Sequence, residues 1–323
     1  MTTMGGHNPG RMAAIFISVL FFLVVIVFNA LAGPGVYPFL GSTGNVSAMF
    51  DTQITPSGWT FSIWGVIYTW LTIILCYILS GLCRKNAYGW VYCSPPVLPY
   101  GFFVAWVLNM VFNVAWLFLW DHSLGDTMLM IPAFIILLLV TLTNYTMIFY
   151  SCHALHTFGA WLHKYHNMDL WLIRMLVQNG LCVYSTWTTI ASLINLTIVM
   201  NYNADLTAMG AATVSLSILT ALVILWFVLE NFVFEKHVRY ILTIYPVVIV
   251  ALCGNMTKNY DSAAPSRNGY FIAVVLGLAI TLFVVRVCLV VWKHIKEPFY
   301  KDLSLEEALS PVENAEKKNK LFL

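Results

Sequence analysis

Charge is what this chain has least of. Lys and Arg number 16 and Asp and Glu 14 among 323 residues, so nine per cent of the chain is charged while sixty per cent is hydrophobic. A water-soluble domain carries roughly 25 % charged residues, and a chain so poor in them could not cover its own surface in water. Period-2 alternation of apolar and polar residues is also missing, which argues against a transmembrane β-barrel. What remains in lipid is the α-helix, which satisfies its own backbone hydrogen bonds. A crossing helix needs about 20 mostly apolar residues. Eight stretches answer to that: 13–33, 57–83, 101–120, 127–150, 170–200, 207–230, 238–253 and 270–293, the seventh being short. The predicted fold class is an all-α integral membrane protein with about eight transmembrane helices.

Long gaps without a basic residue orient the spans. Lys and Arg gather at Arg11, at Arg84 and Lys85, at Lys164 and Arg174, at Lys236 and Arg239, and from Lys293 onward. Basic residues accumulate on the cytoplasmic side, so eight spans with both termini cytoplasmic place every cluster inside. Lys258 and Arg267, in the seventh connection, fall outside. Seven spans would put the Lys-rich tail on the wrong side. Topology thus accounts for the basic residues, and the net charge of +2 implies no nucleic-acid partner. Asn-x-Ser/Thr triplets at Asn45 and Asn255 lie in outer connections and are glycosylation candidates, which favours the plasma membrane or an endomembrane. The same triplet recurs at Asn144 and Asn195 within spans.

No polar stretch is long enough to form a soluble domain. The outer connection 33–56 carries Gly33, Pro34, Gly35, Pro38 and Gly41 and reads as an irregular cap over the helix mouths. The inner connection 151–169 has helix-compatible spacing and is expected to lie along the interface. Residues 294–323 form a charged cytoplasmic tail with "SLEEAL" as a short helix. "NALAG", which closes the first span, resembles a signal-peptide cleavage site. Its apolar run, from Ala13 to Leu31, exceeds the 7–15 residues of a signal h-region, so a retained helix is expected. Seven cysteines show neither disulfide nor metal spacing and read as small packing residues. His153, His156, His163 and His166 make an H-x2-H-x6-H-x2-H series. On a helix the i, i+3 pairs would share a face and could ligate a transition metal or a haem iron, but no zinc spacing is matched and interfacial histidines are ordinary.

Aromatic rings and carboxamides are what the spans do contain. "TPSGWTFSIWGVIY" turns from a Pro/Gly loop into the second span, with Trp64 and Tyr68 four apart and therefore on one helix face. The third span, "AWVLNMVFNVAWLFLWD", places Asn109, Asn113, Trp116 and Trp120 at steps of four, three and four. In the fifth, "YSTWTTIASLIN", Tyr184, Trp187, Ala191 and Asn195 make a third stripe. Such rings also anchor helices at membrane interfaces, and polar residues also join helices without any ligand. An unpaired amide is costly in hydrocarbon, so these faces must turn toward other helices or a cavity.

In this order the segments resemble the TspO/MBR family of tryptophan-rich sensory or translocator proteins, over residues 13–201. "GWTFSIWGVIY" is similar to the W-x-F…W-x-x-[LI]-Y start of that family's second helix. "NVAW" followed by Leu117-Phe118-Leu119-Trp120 is similar to its third-helix N-x-x-W…F-F segment. The fifth-helix pattern Y-x-x-W-x-x-x-A-x-x-x-N agrees at all four fixed residues. The resemblance implies a five-helix bundle at 1–205, three additional transmembrane helices at 206–293, and the tail beyond. It implies a hydrophobic-ligand site near the outer mouths of the helices, for a porphyrin or haem-like tetrapyrrole or a lipid such as cholesterol. By motif, Trp64, Asn113, Trp187 and Ala191 would line it, with Trp116, Tyr184 and Asn195 as neighbours. Animal members commonly reside in the mitochondrial outer membrane. Two departures are plain: Trp59 and Trp64 are five apart where many members have six, and Tyr202 is followed by no Lys or Arg of a cholesterol motif.

The expected function is a membrane protein that binds a hydrophobic small molecule within the bilayer, its partners being lipid and that ligand; a homo-oligomer is compatible with the sequence. The alternative is a secondary transporter of a small uncharged substrate. Transporters show internal repeats, broken helices and midplane charges; no repeat is visible, and Arg286 lies seven residues from Lys293 and could snorkel inward. An enzyme is not expected, since no nucleophile, general base or metal triad is apparent, although porphyrin degradation has been proposed for some members of the family.

Overall fold

The computed structural model describes residues 6–86 and 88–300. Among these, seven helical stretches are long and apolar enough to cross a membrane: Pro9–Ala32, Gly58–Ser80, Tyr100–His122, Thr127–Tyr165, Asn167–Tyr202, Ala208–Val233 and Arg267–Lys296. The first of them, α1 (Pro9–Ala32), begins where Asn8 accepts the N–H of Arg11 and Pro9 occupies the first turn, a start that costs no helical hydrogen bond. The outer connection that follows is not wholly irregular. It contains α2 (Thr43–Met49), capped by Ser42, whose hydroxyl accepts the N–H of Asn45. A 3-10 turn, Gly58–Ser62, then feeds α3 (Ile63–Ser80).

On the inner side a two-residue pair, β1 (Lys85–Asn86) and β2 (Gly89–Trp90), sets Lys85 opposite Trp90. Helix α4 (Tyr100–His122) returns outward. The next, α5 (Met130–Tyr165), is 36 residues long and swallows most of the connection expected at 151–169. That segment therefore continues the fourth span instead of lying along the interface. A break at His166 separates it from the fifth span, built of α6 (Asn167–Leu172), a π-helical turn (Ile173–Gln178) and α7 (Asn179–Tyr202). In this fifth span 78 % of the apolar window is buried, against 22–50 % in the other six, so it forms the axis of the bundle. Its partners approach closely. A Cβ at Gly180 would strike the ring of Trp70, whose indole nitrogen donates to the carbonyl of Leu176 at 3.1 Å, the small-residue contact typical of packing in lipid.

Helix α8 (Ala208–Val228) ends in a second π turn, Leu229–Val233, and a short α9 (Glu235–Val238). The seventh span differs from the expected 238–253: α10 (Ile244–Asn259) starts six residues later and has 16 residues, roughly 24 Å of helix. Its far end still reaches the outer face. Ser57 donates its N–H to the carbonyl of Gly254 at 3.0 Å, and Lys258 pairs with Asp51 at 2.7 Å. The same outer layer holds the start of α11 (Arg267–Lys296), where Asn268 donates to Gln53 and to the carbonyl of Met209. Thus α8 and α11 begin, and α10 ends, on one face, which makes eight passes. Residues 301–323, including "SLEEAL", lie outside the described residues.

The late start of α10 has a cause in Arg286. It does not snorkel; at 1 % exposure it sits beside Glu230, 3.3 Å from the carboxylate, and donates to the carbonyls of Val238 and Arg239. Tyr245 donates its hydroxyl to the same carboxylate at 2.5 Å. The carbonyl of Val238 also accepts the N–H of Ile241 at 3.0 Å, and Asn179 serves the carbonyl of Tyr240 and the N–H of Leu242. Arg286 and Asn179 together thus satisfy the non-helical segment before α10, which lipid could not do.

Candidate functional site

Asn113 is the centre from which the outer half of the bundle is organised. It is 2 % exposed, and its Nδ2 donates to the phenol oxygens of Tyr184 at 3.1 Å and Tyr68 at 3.3 Å. Its Oδ1 accepts from Asn29 Nδ2 at 2.9 Å. One carboxamide therefore ties together the first, second, third and fifth spans, and all three of its hydrogen bonds go to side chains on other helices.

Aromatic rings close around this junction. Trp64 stacks on Tyr68, ring centroids 5.8 Å apart, and lies 6.2 Å from both Trp116 and Tyr184. Trp187 meets Trp64 edge-on at 6.3 Å, and Phe61 meets Trp187 at the same distance. Offset and edge-on pairs of this kind contribute about 0.5–1.5 kcal/mol each beyond the area they bury. Above them opens a cavity of about 680 Å³, within the roughly 300–1,000 Å³ usual for small-molecule sites. Its walls include Trp64, Tyr68, Trp116 and Phe61, its polar points Asn29 and Thr69, and its rim Lys258.

Loops roof the cavity and are held by charge. Asp121, 3 % exposed at the outer end of α4, accepts the N–H groups of Leu40 at 2.8 Å and Gly41 at 3.0 Å, so the loop before α2 is pinned to the third span. On the opposite side the 3-10 turn that carries Phe61 is bound to α10. Ser57 donates to the carbonyl of Gly254, and a Cβ on Gly254 would collide with the hydroxyl of Thr60. Lys258, whose charge departs from the orientation pattern, is neutralised by Asp51.

Of the seven residues expected at a ligand site, five meet here. Trp64 and Trp116 line the cavity; Asn113, Tyr184 and Trp187 stand directly behind that wall, Trp187 being 1 % exposed. Ala191 and Asn195 do not line it. Asn195 turns its amide back on its own helix, donating to the carbonyl of Ala191 at 3.1 Å. Ala191 is not part of the lining, whereas Phe61, which meets Trp187 edge-on, is. Asn29 and Phe61 were missed. Asn29 stood in plain sight as the one amide in the first span, within "NALAG". Trp59 is 51 % exposed and outside the cavity, in the manner of a headgroup anchor.

Two other groups of candidates separate on inspection. The histidines point to different partners: His153 to Phe149, His156 to His237, His163 to Tyr300 and His166 to Trp161. No group of three or more His, Cys, Asp or Glu able to hold a metal ion occurs among the described residues. Roughly 10 Å of helix axis separates His156 from His163 and the helix ends at His166, so the two pairs meet different partners. As to glycosylation, Asn45 is exposed but Asn255 is 4 % exposed within α10. A glycan on Asn255 is incompatible with that packing.

A family model described as TSPO-like protein matches residues 15–292, a stretch that runs through all eight passes. No curated protein and no solved structure matches the chain.

Proposed function

The chain belongs to the TSPO-like family, and from that premise we propose that it binds a flat hydrophobic molecule, a tetrapyrrole or a sterol-like lipid, in the outer cavity. The observation that carries this reading is the wall of Trp64, Tyr68 and Trp116 over the Asn29–Asn113 amides. Indole and phenol faces suit a planar ring system, and few polar groups in an apolar cavity orient a ligand without demanding full desolvation. Asn29 supplies the polar contact on the first span. The pinned loops around Asp121 and Gly254 would govern access from the outer leaflet. The exposed sequon at Asn45 supports a membrane of the secretory route over the mitochondrial outer membrane.

Titrating protoporphyrin into the detergent-solubilised protein tests this. Saturable quenching of tryptophan fluorescence is expected, weakened at least tenfold in Trp64→Ala plus Trp116→Leu. Absence of saturable quenching with protoporphyrin, together with no saturable binding of radiolabelled cholesterol, would sink the reading. Turnover of the pigment would instead make the protein an enzyme.

A second reading, secondary transport, is favoured by one observation. The buried Glu230–Arg286 pair beside a short seventh span is the kind of intramembrane charge that transporters use. Flux of an uncharged solute into proteoliposomes, abolished by Glu230→Gln, would support it.

A further inference from the structure

The inner end of the molecule holds a second, differently built hollow. The π turn Ile173–Gln178 brings Arg174 and Gln178 to a cavity of about 260 Å³, which Lys236, Arg239, His156 and His237 also line. Arg174 is 5 % exposed, yet no described carboxylate pairs with it. Asp169 is committed to Arg84, and Glu235 to Arg239 and Lys293. The Arg174 guanidinium instead lies over the rings of Tyr240 at 4.3 Å and Trp171 at 4.9 Å and donates to the hydroxyl of Tyr300 at 3.3 Å. Gln178 is 2 % exposed and its amide nitrogen has no acceptor among the described residues. A buried cation with no counter-charge among the described residues is costly, and here it shares its hollow with Lys236, Arg239 and an idle donor.

An apolar cavity adjoins this basic one at His237. Between α5, α7, α8 and α10 runs a groove of about 510 Å³ walled by Ile148, Phe149, Ile190, Leu222 and Leu225. His237 lines both. Positive charge at the cytoplasmic end of an apolar furrow matches one amphiphile. We propose that the two hollows together hold an anionic phospholipid of the cytoplasmic leaflet, its phosphate among Arg174, Lys236 and Gln178 and its acyl chains along the groove. Basic pockets between transmembrane helices on this side are suited to such headgroups. Arg174 and Gln178 both belong to the π turn, and such turns recur at functional sites. The site is separate from the outer cavity and does not depend on what binds there.

Native mass spectrometry of the full-length protein, stripped of lipid and offered phosphatidylglycerol or phosphatidylcholine of equal chain length, tests the assignment. Phosphatidylglycerol is expected to be retained preferentially, and added salt to erode the preference. Lys236→Gln should weaken phosphatidylglycerol retention about fivefold, the equivalent of ~1 kcal/mol per cation near the surface, and adding Arg174→Gln should weaken it further. Because Arg174 is buried, its loss could disturb folding; Lys236 is exposed and carries the test alone. Leu222→Trp, which fills the groove from its exposed wall, should lower lipid retention and leave binding of inorganic phosphate, followed by calorimetry, unchanged. Equal retention of the two lipids, or a preference untouched by Lys236→Gln, would overturn the proposal. So would complete displacement of the lipid by inorganic phosphate, which would reassign the cavity to a free phosphorylated solute.

Discussion

A single carboxamide carries much of the outer half of this bundle. Asn113 donates to two phenols and accepts from one amide, and no water from the bilayer core can replace those partners. Interhelical hydrogen bonds in membranes are worth about 0.6 kcal/mol on average and up to ~1.7. Asn113→Leu should therefore lower the stability measured by thermal unfolding in detergent by about 1–3 kcal/mol. It should also loosen protoporphyrin binding, because Tyr68 and Asn29 lose the group that orients them. Asn113→Gln, which keeps the amide but displaces it, should recover less than half the loss. At the inner face the informative residue is His237. Its burial, and then His156, His153 and Lys236 beside it, hold its pKa below the ordinary histidine range. A phosphate in the adjoining cavity would favour the protonated ring, so binding takes up a proton. Affinity for phosphatidylglycerol should then rise as pH is lowered from about 8 to about 6, and His237→Gln should flatten that dependence. The stripes at Trp64, Asn113 and Trp187 were legible in the sequence because helical spacing alone puts them on common faces. Which stripe members reach the cavity was not, since that turns on a rotation of a few tens of degrees about each helix axis.

Two elements decide how the cavity is closed and how the last three helices are held. The 3-10 turn Gly58–Ser62 touches α10 where Gly254 has no side chain, and Thr60 occupies the vacant space. Gly254→Val should push Thr60 and Phe61 toward the cavity. Protoporphyrin affinity is expected to fall several-fold in the quenching titration while far-UV helicity is retained. Unchanged affinity would show that α10 does not shape the site. Within the extra helices, Arg286 and Glu230 are each 1 % exposed or less. Removing one member of a buried pair typically costs about 3–5 kcal/mol because the other charge is stranded. Arg286→Met alone should therefore be severely destabilised, and the double variant Arg286→Met with Glu230→Leu should recover a substantial part in thermal unfolding. The residual loss would measure what Arg286 does for the carbonyls of Val238 and Arg239. From hydropathy the seventh span was already the short one. Its displacement by six residues could not be read, because the backbone before α10 is satisfied by Asn179 and Arg286, both distant along the chain.

At the scale of the whole molecule the passes form a closed account. The starts of α8 and α11 and the end of α10 share an outer layer with residues 51–57, while Arg239 donates to the carbonyl of Glu297 and Arg174 to Tyr300 at the inner one. Eight passes place the exposed residues 261–264 outside; a seven-pass chain in which α10 only dips into the bilayer would return them to the cytoplasm. Ala263→Cys in intact cells, after replacement of the exposed native cysteines Cys76, Cys83 and Cys288, should react with a membrane-impermeant maleimide. Failure to label until the cells are lysed would reverse the topology of the last span.

The helical class, the near-complete set of spans and the gathering of the basic clusters at one end of the bundle were determined by the sequence alone. Hydropathy and charge act on each segment locally, against the bilayer, and need no knowledge of neighbours. Tertiary structure alone decided that Trp64 and Trp116 face a cavity while Trp187 backs it, that Asn255 is shut in, that the histidines part company, and that Arg174 lies beside an empty-handed Gln178. Those outcomes follow from helix rotation, depth and close approach at glycines such as Gly180 and Gly254. Each of these is set by packing between segments far apart in the chain, on which hydropathy is silent.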